Sequence, residues 1–238
     1  HINNMPDALV FTSFIPKLCG ARIILDIHDP MPELYMSKYH VEKSIGVSVL
    51  KAIEGIAFQW ADLVITANPE FRRILLARHA DAEKKLTVIL NCPDPAVFRF
   101  VRTKKENTLP FTMLYMGTID ERFGLEIAIN GIKELRNKIP ALQFIIIPKL
   151  QQEGRYFSWL KQEILRLGLM KTVIFRDPLP LEFIAAELTR ADVGVVLAKD
   201  GVFPNIIFPV KLLEFIQMGV PVIATETRML RKVFTDKQ

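Results

Sequence analysis

Lys211 and Glu214 stand three residues apart in Phe208-Pro209-Val210-Lys211-Leu212-Leu213-Glu214-Phe215. A proline at a helix start loses only an N–H that has no intrahelical partner. The free N–H groups of that first turn and the helix dipole favour an anion, and Lys211 adds a positive charge beside them. A spacing of three puts both side chains on one helix face. A carboxylate accepts hydrogen bonds and donates none, so Glu214 suits the paired hydroxyls of a ribose. Together the two residues could hold a phosphate and a sugar hydroxyl. An ordinary amphipathic helix with a solvated Lys–Glu pair has the same spacing, so this pair alone does not decide.

Other segments carry candidate chemistry. His28 falls at the carboxyl end of an apolar run, where open α/β sheets bind ligands. Asp29 and Glu33 follow, and Pro30 and Pro32 read as forcing an irregular loop. His28, Asp29 and Glu33 could in principle ligate a metal, but no second cluster supplies further ligands. Gly117 and Gly124 flank Thr118, Asp120, Glu121 and Arg122 ahead of a helical stretch. Glycine lets the backbone approach a ligand, and Arg122 could clamp a diphosphate with its planar fork; a plain exposed turn reads the same way. Asn205, with Asp200 and Gly201, precedes the Lys211 helix. Pro148-Lys149 suggests no specific chemistry, and Trp60 and Trp159 read as packing residues.

The elements that must position these residues alternate strand and helix. Strands are expected at 21–27, 63–66, 86–90, 111–116, 142–147, 173–175, 193–197 and 220–224. Helices are expected at 41–60, 70–79, 125–137, 156–167, 181–189 and 210–218. Continuous Val/Ile/Leu strands are covered on both faces, and the alternation implies a mostly parallel sheet. The two prolines of Asn91-Cys92-Pro93-Asp94-Pro95 and the charged run at Lys104-Lys105-Glu106 suggest a linker, with a domain boundary within about five residues of Lys104. The organisation is then residues 1–103 and 104–238.

Composition narrows the class. The chain has 238 residues, half of them hydrophobic, so a substantial core is available. Lys and Arg exceed Asp and Glu by 31 to 26. This mild excess suits an anionic ligand or an anionic membrane surface but is too weak to argue for nucleic acid. Cys19 and Cys92 have no metal-ligand spacing and build no disulfide framework, which fits a reducing cytoplasm. The absence of any Gly-x-Gly argues against a nicotinamide dehydrogenase. The start, His1-Ile2-Asn3-Asn4, is not a signal peptide, and the chain reads as a fragment at both ends.

Four segments in order resemble retaining GT-B glycosyltransferases of family four. Pro209 to Phe215 with Gly219-Val220-Pro221-Val222-Ile223-Ala224 resembles the donor-site signature of that family. Asp26-Ile27-His28-Asp29-Pro30-Met31-Pro32-Glu33 resembles its strand-end histidine segment, and Ala61 to Asn68 its next strand and turn. Leu114-Tyr115-Met116-Gly117-Thr118 to Gly124 resembles the opening of its second domain. The resemblance implies an α/β fold of two Rossmann-like domains facing a cleft, the first incomplete and the helices that cross back to it missing. It implies sugar transfer from a nucleotide-diphosphate sugar to a hydroxyl acceptor with retention, in polysaccharide or glycolipid biosynthesis, without metal or other cofactor. Attack comes from the front face, and the leaving phosphate takes the acceptor proton. Glu214 would bind the ribose, His28 would lie near the reacting centre as the catalytic residue, and Gly117, Thr118, Arg122, Asn205 and Lys211 would complete the donor site. The chain departs from the pattern twice. Thr118 stands where a second basic group is common, and Ile206 where many members have a second glutamate. A subset with an asparagine loop before Pro-x-Lys matches better. A nucleotide-sugar epimerase of the same fold and a non-catalytic relative are the alternatives. The expected location is the cytoplasm, with peripheral contact at the inner membrane face also open.

Overall fold

The computed structural model describes residues 1–100, 110–139, 141–150 and 154–235. They form two compact units: His1–Asn91 with Asp200–Phe208 and Thr227–Gln238, and Cys92–Lys199 with Pro209–Glu226. The boundary expected near Lys104 falls outside the described residues. By contacts the first change of unit comes at Asn91, and two later stretches return to the first unit. The physical reason is burial. Phe203 and Ile206 are apolar, they join the first unit's core, and the Asn68 amide donates to the Ile206 carbonyl at 3.1 Å.

The first unit holds a parallel sheet in the order β1 (Ile2–Asn3), β2 (Ile24–Ile27), β3 (Leu63–Thr66) and β4 (Leu86–Val88). Its core gathers Leu25, Ile27, Val64, Phe58, Phe71 and Leu75. The helices are α1 (Phe14–Leu18), α2 (Met31–Tyr39), α3 (Ile45–Trp60), α4 (Pro69–Arg78) and, from the final stretch, α9 (Arg228–Val233). Ser44 caps α3 by accepting from the Val47 N–H, and Asn68 caps α4 by accepting from the Phe71 N–H at 2.9 Å. Two expectations are corrected. The segment with Pro30 and Pro32 is helical, because Pro30 takes the cap position and Pro32 lies in the first turn, where a missing N–H costs little. The return to the first unit is present as α9, whose Lys232 ammonium reaches the buried carboxylate of Glu70.

The second unit is a parallel sheet in the order β7 (Val173–Phe175), β6 (Gln143–Pro148), β5 (Thr112–Gly117), β8 (Val193–Val196), β9 (Val222–Ala224). The chain runs outward from β5 in one direction, then returns to its other side, so the order reverses between β5 and β8. Strand alternation sorts the core. Met113, Tyr115, Phe144 and Ile146 face α5 (Leu125–Leu135) and α6 (Arg155–Arg166). Leu114, Met116, Ile145 and Ile147 face α7 (Leu181–Leu188) and α8 (Val210–Gln217). Gly194 in β8 lets α8 lie close, since a Cβ there would fall 2.6 Å from the Phe215 ring.

Candidate functional site

Gly117, Thr118, Arg122, Lys211 and Glu214 belong to the second unit, and His28 and Asn205 to the first. Gly117 closes β5, the strand at which the sheet order reverses, so it sits where open α/β sheets bind ligands. Its φ of 138° is a backbone state that side chains rarely adopt, and a Cβ there would fall on the Lys211 Nζ. The missing side chain is therefore the space that the Lys211 ammonium occupies.

Pro209 is the cap of α8 rather than its first residue, and Lys211 lies in the first turn. Burial pushes the Lys211 ammonium down to about 8, an effect that Glu214 opposes and Lys149 reinforces. Burial pushes the Glu214 carboxyl up, and Lys211 opposes it. Neither side chain makes a hydrogen bond or ion pair with any described residue. A half-buried cation and a half-buried acceptor thus remain available one turn apart on the helix.

The neighbouring cations differ. Arg122 Nε donates to Asp120 Oδ1 at 2.8 Å, and the guanidinium lies over the Phe123 ring. Lys199 Nζ is 2.6 Å from Glu126 and 3.5 Å from Glu121. The Thr118 carbonyl accepts from the Tyr115 hydroxyl at 2.7 Å, which shapes the turn after Gly117. Lys149, to which the sequence assigned no chemistry, is exposed, and its N–H donates to the Gly117 carbonyl at 3.2 Å. The signal available for it was a lysine directly after a strand's carboxyl end.

In the first unit His28 follows β2. Its ring Nε2 lies 3.6 Å from Asp26 Oδ2, and its side chain is 44% exposed. With Asp29, Asn68 and Asn91 it lines a cavity of about 50 Å³ closed by Ala67, Phe71, Ile207 and Phe208. Glu33 does not join His28 and Asp29: its carboxylate is buried and takes two hydrogen bonds from Arg78, at 2.5 and 3.2 Å. Arg78 also grips the buried Glu54, which His79 meets at 2.8 Å. Burial would raise the Glu54 carboxyl, but the bonds from His79 and Arg78 outweigh it and hold it low. This network ties α2, α3 and α4. Among the described residues no group of three or more His, Cys, Asp or Glu could hold a metal ion.

The Asn205 side chain is engaged inside the first unit. Its Nδ2 donates to Asp200 at 2.6 Å and its Oδ1 accepts from the Arg228 N–H at 3.4 Å, while the Asn205 backbone carbonyl accepts from the Met229 N–H at 3.1 Å. Ile206, at the position of the absent glutamate, is 3% exposed and is a core residue.

An open parallel sheet whose strand order reverses at β5 defines a doubly wound α/β unit, a class that binds ligands at that reversal point. The profile of glycosyl transferases group 1 matches residues 97–238, and the chain belongs to that family. The fold is that of GT-B glycosyltransferases. Sucrose-phosphate synthase from Thermosynechococcus elongatus superposes with a TM-score of 0.70 at 18% identity, covering 95% of this chain and 56% of that one. Anabaena HepE in complex with UDP gives 0.71 at 18% identity, covering 98% and 61%. The pneumococcal O-GlcNAc transferase GtfA in complex with UDP and GlcNAc gives 0.66 at 12% identity, covering 98% and 42%. The chain therefore spans roughly half of each of these proteins. Comparison with curated protein sequences returns no match. Among the described residues no helix is long and apolar enough to cross a membrane.

Proposed function

We propose that the protein transfers a sugar from a nucleotide-diphosphate donor to a hydroxyl acceptor, with retention and without a metal ion. The observation that carries this reading is the Lys211 ammonium, half-buried against Gly117 at the sheet's reversal point and free of any ion pair among the described residues. A diphosphate there would supply the missing counter-charge, helped by Lys149 and the N-terminus of α8. Glu214, one turn on, accepts from the ribose hydroxyls. Arg122 reaches the diphosphate by exchanging Asp120 for phosphate oxygen. Gly117 and Thr118 let the backbone approach the donor, and Asn205 orders the loop before α8. His28 acts at the reacting centre. The leaving phosphate accepts the acceptor proton, so no carboxylate pair of the glycosidase kind is required. Polysaccharide or glycolipid assembly at the cytoplasmic membrane face is the setting that this reading favours, and the exposed Phe11, Phe14, Ile15 and Leu18 near Lys17 support peripheral contact there.

Titration of the wild type with UDP, UDP-glucose and a panel of other nucleotide sugars tests the donor site. Glu214→Gln is expected to keep the fold and to weaken the tightest of these ligands by about 1 to 3 kcal/mol, the size of a hydrogen bond to a charged group. Unchanged affinity for every ligand that binds the wild type would sink the assignment. A second reading, a relative that binds nucleotide but transfers nothing, is favoured by Ile206 in the core and by Arg122 paired with Asp120. Product analysis with each donor that binds separates the two.

A further inference from the structure

We infer that Asn4 is a positioning residue for His28, a role that rests on the transferase reading in its catalytic part. The His28 ring is 44% exposed and 3.6 Å from Asp26 Oδ2, so packing alone does not fix its orientation. Its direction comes from the backbone of the turn after β2, and one buried side chain holds that turn. Asn4 follows β1 and is 7% exposed. Its N–H donates to the Asp26 carbonyl at 2.8 Å. Its Oδ1 accepts from the His28 N–H at 2.9 Å, and its Nδ2 donates to the Asp29 carbonyl at 2.7 Å. The N–H that opens the His28–Asp29 turn and the carbonyl that closes it are thus held by one amide.

Asp7 completes the arrangement. Its Oδ1 accepts the other Nδ2 proton of Asn4 at 3.0 Å, and its carboxyl is 3% exposed. Both amide protons and the amide oxygen of Asn4 are then used. The reversed amide would aim oxygen at a carbonyl and a carboxyl and nitrogen at an N–H, so the network admits one orientation. No other residue of this size offers an acceptor and two donors at those points. Aspartate cannot donate to Asp29, and leucine can do neither. Burial pushes the Asp7 carboxyl up to about 6, against the Asn4 bond, which lowers it. The hydrogen bond that orients Asn4 gives this costly buried group a task.

The test uses the chain in isotope-labelled form. Asn4→Ala is expected to speed hydrogen exchange of the His28 amide at least tenfold. With a nucleotide sugar that the wild type turns over, UDP-glucose tried first, it should lower kcat about a hundredfold, the cost of misplacing a reacting group by about 1 Å. KM for that donor and Kd for UDP should stay within about twofold, which a merely structural defect would not respect. Asp7→Ala should give smaller losses of the same kind, and Asp7→Asn, which keeps an acceptor for Asn4, should restore wild-type behaviour. If Asn4→Ala does not fold, the two Asp7 variants decide. Unchanged His28 exchange, or a loss confined to KM and Kd, would overturn the inference. If the wild type turns over no donor, the transferase reading fails, while amide exchange still decides whether Asn4 holds the turn.

Discussion

At the scale of single residues, the proposed phosphate site rests on charge and space at Gly117. Lys211 titrates at about 8, below the ordinary lysine value, because burial disfavours its charge. An anion binds the protonated form, so binding raises this pKa and consumes a proton whenever the free group is neutral. Affinity for UDP should therefore be flat from pH 7 to about 8, then fall by up to tenfold per pH unit above it. Lys211→Arg should remove the fall, since a guanidinium stays charged. Calorimetric titrations from pH 7 to 9.5 check this, and a flat wild-type profile would exclude Lys211 from the phosphate site. The Lys–Glu spacing and its helix were legible in the sequence. The ammonium's place against Gly117 was not, because the two residues are far apart in the chain and meet through the packing of α8 on β8.

At the scale of elements, α8 carries Lys211 and Glu214, the pair proposed to hold the donor, so its seat on the sheet sets their position. That seat is Gly194, where an added methyl would meet the Phe215 ring at 2.6 Å. Gly194→Ala should lower the stability of the second unit by about 1 to 3 kcal/mol through overpacking, and weaken UDP binding as α8 shifts. Gly131, inside α5 with open space around its Cβ direction, is the contrast. Gly131→Ala should add about 0.5 to 1 kcal/mol and leave UDP binding unchanged. Denaturant unfolding and UDP titration of both variants test the pair; equal behaviour would refute the packing argument. Most elements were legible as patterns, with strands at 63–66 and 173–175 read to the residue. The exceptions have local causes. α2 hides behind two prolines, which mark helix starts as readily as loops. β1 is two residues long, α1 five and α9 six, too short to show a period.

At the scale of the whole molecule, the chain leaves the first unit at Asn91 and revisits it in two stretches. Phe203 then belongs to the first unit, packed 6.3 Å ring to ring from Phe71. Phe203→Ala should cost about 3 to 5 kcal/mol, and the loss should appear in the unfolding of that unit. The two tryptophans report separately, Trp60 in the first unit and Trp159 in the second. In a Trp159→Phe background the Trp60 transition should move; a shift seen instead by Trp159 in a Trp60→Phe background would reassign the stretch. By itself the sequence determined the alternation of strand and helix, the α/β class and the spacing of Lys211 and Glu214. These are properties of neighbours in the chain, set by side-chain period and by which residues start and stop helices. Tertiary structure alone decided that Asn4 holds the His28 turn, that Glu33 serves Arg78, that Ile206 is core, and that Gly117 makes room for Lys211. Each of those pairings joins segments distant in the chain, and it exists because burial leaves a polar group or a side chain one place to go, which no local spacing encodes.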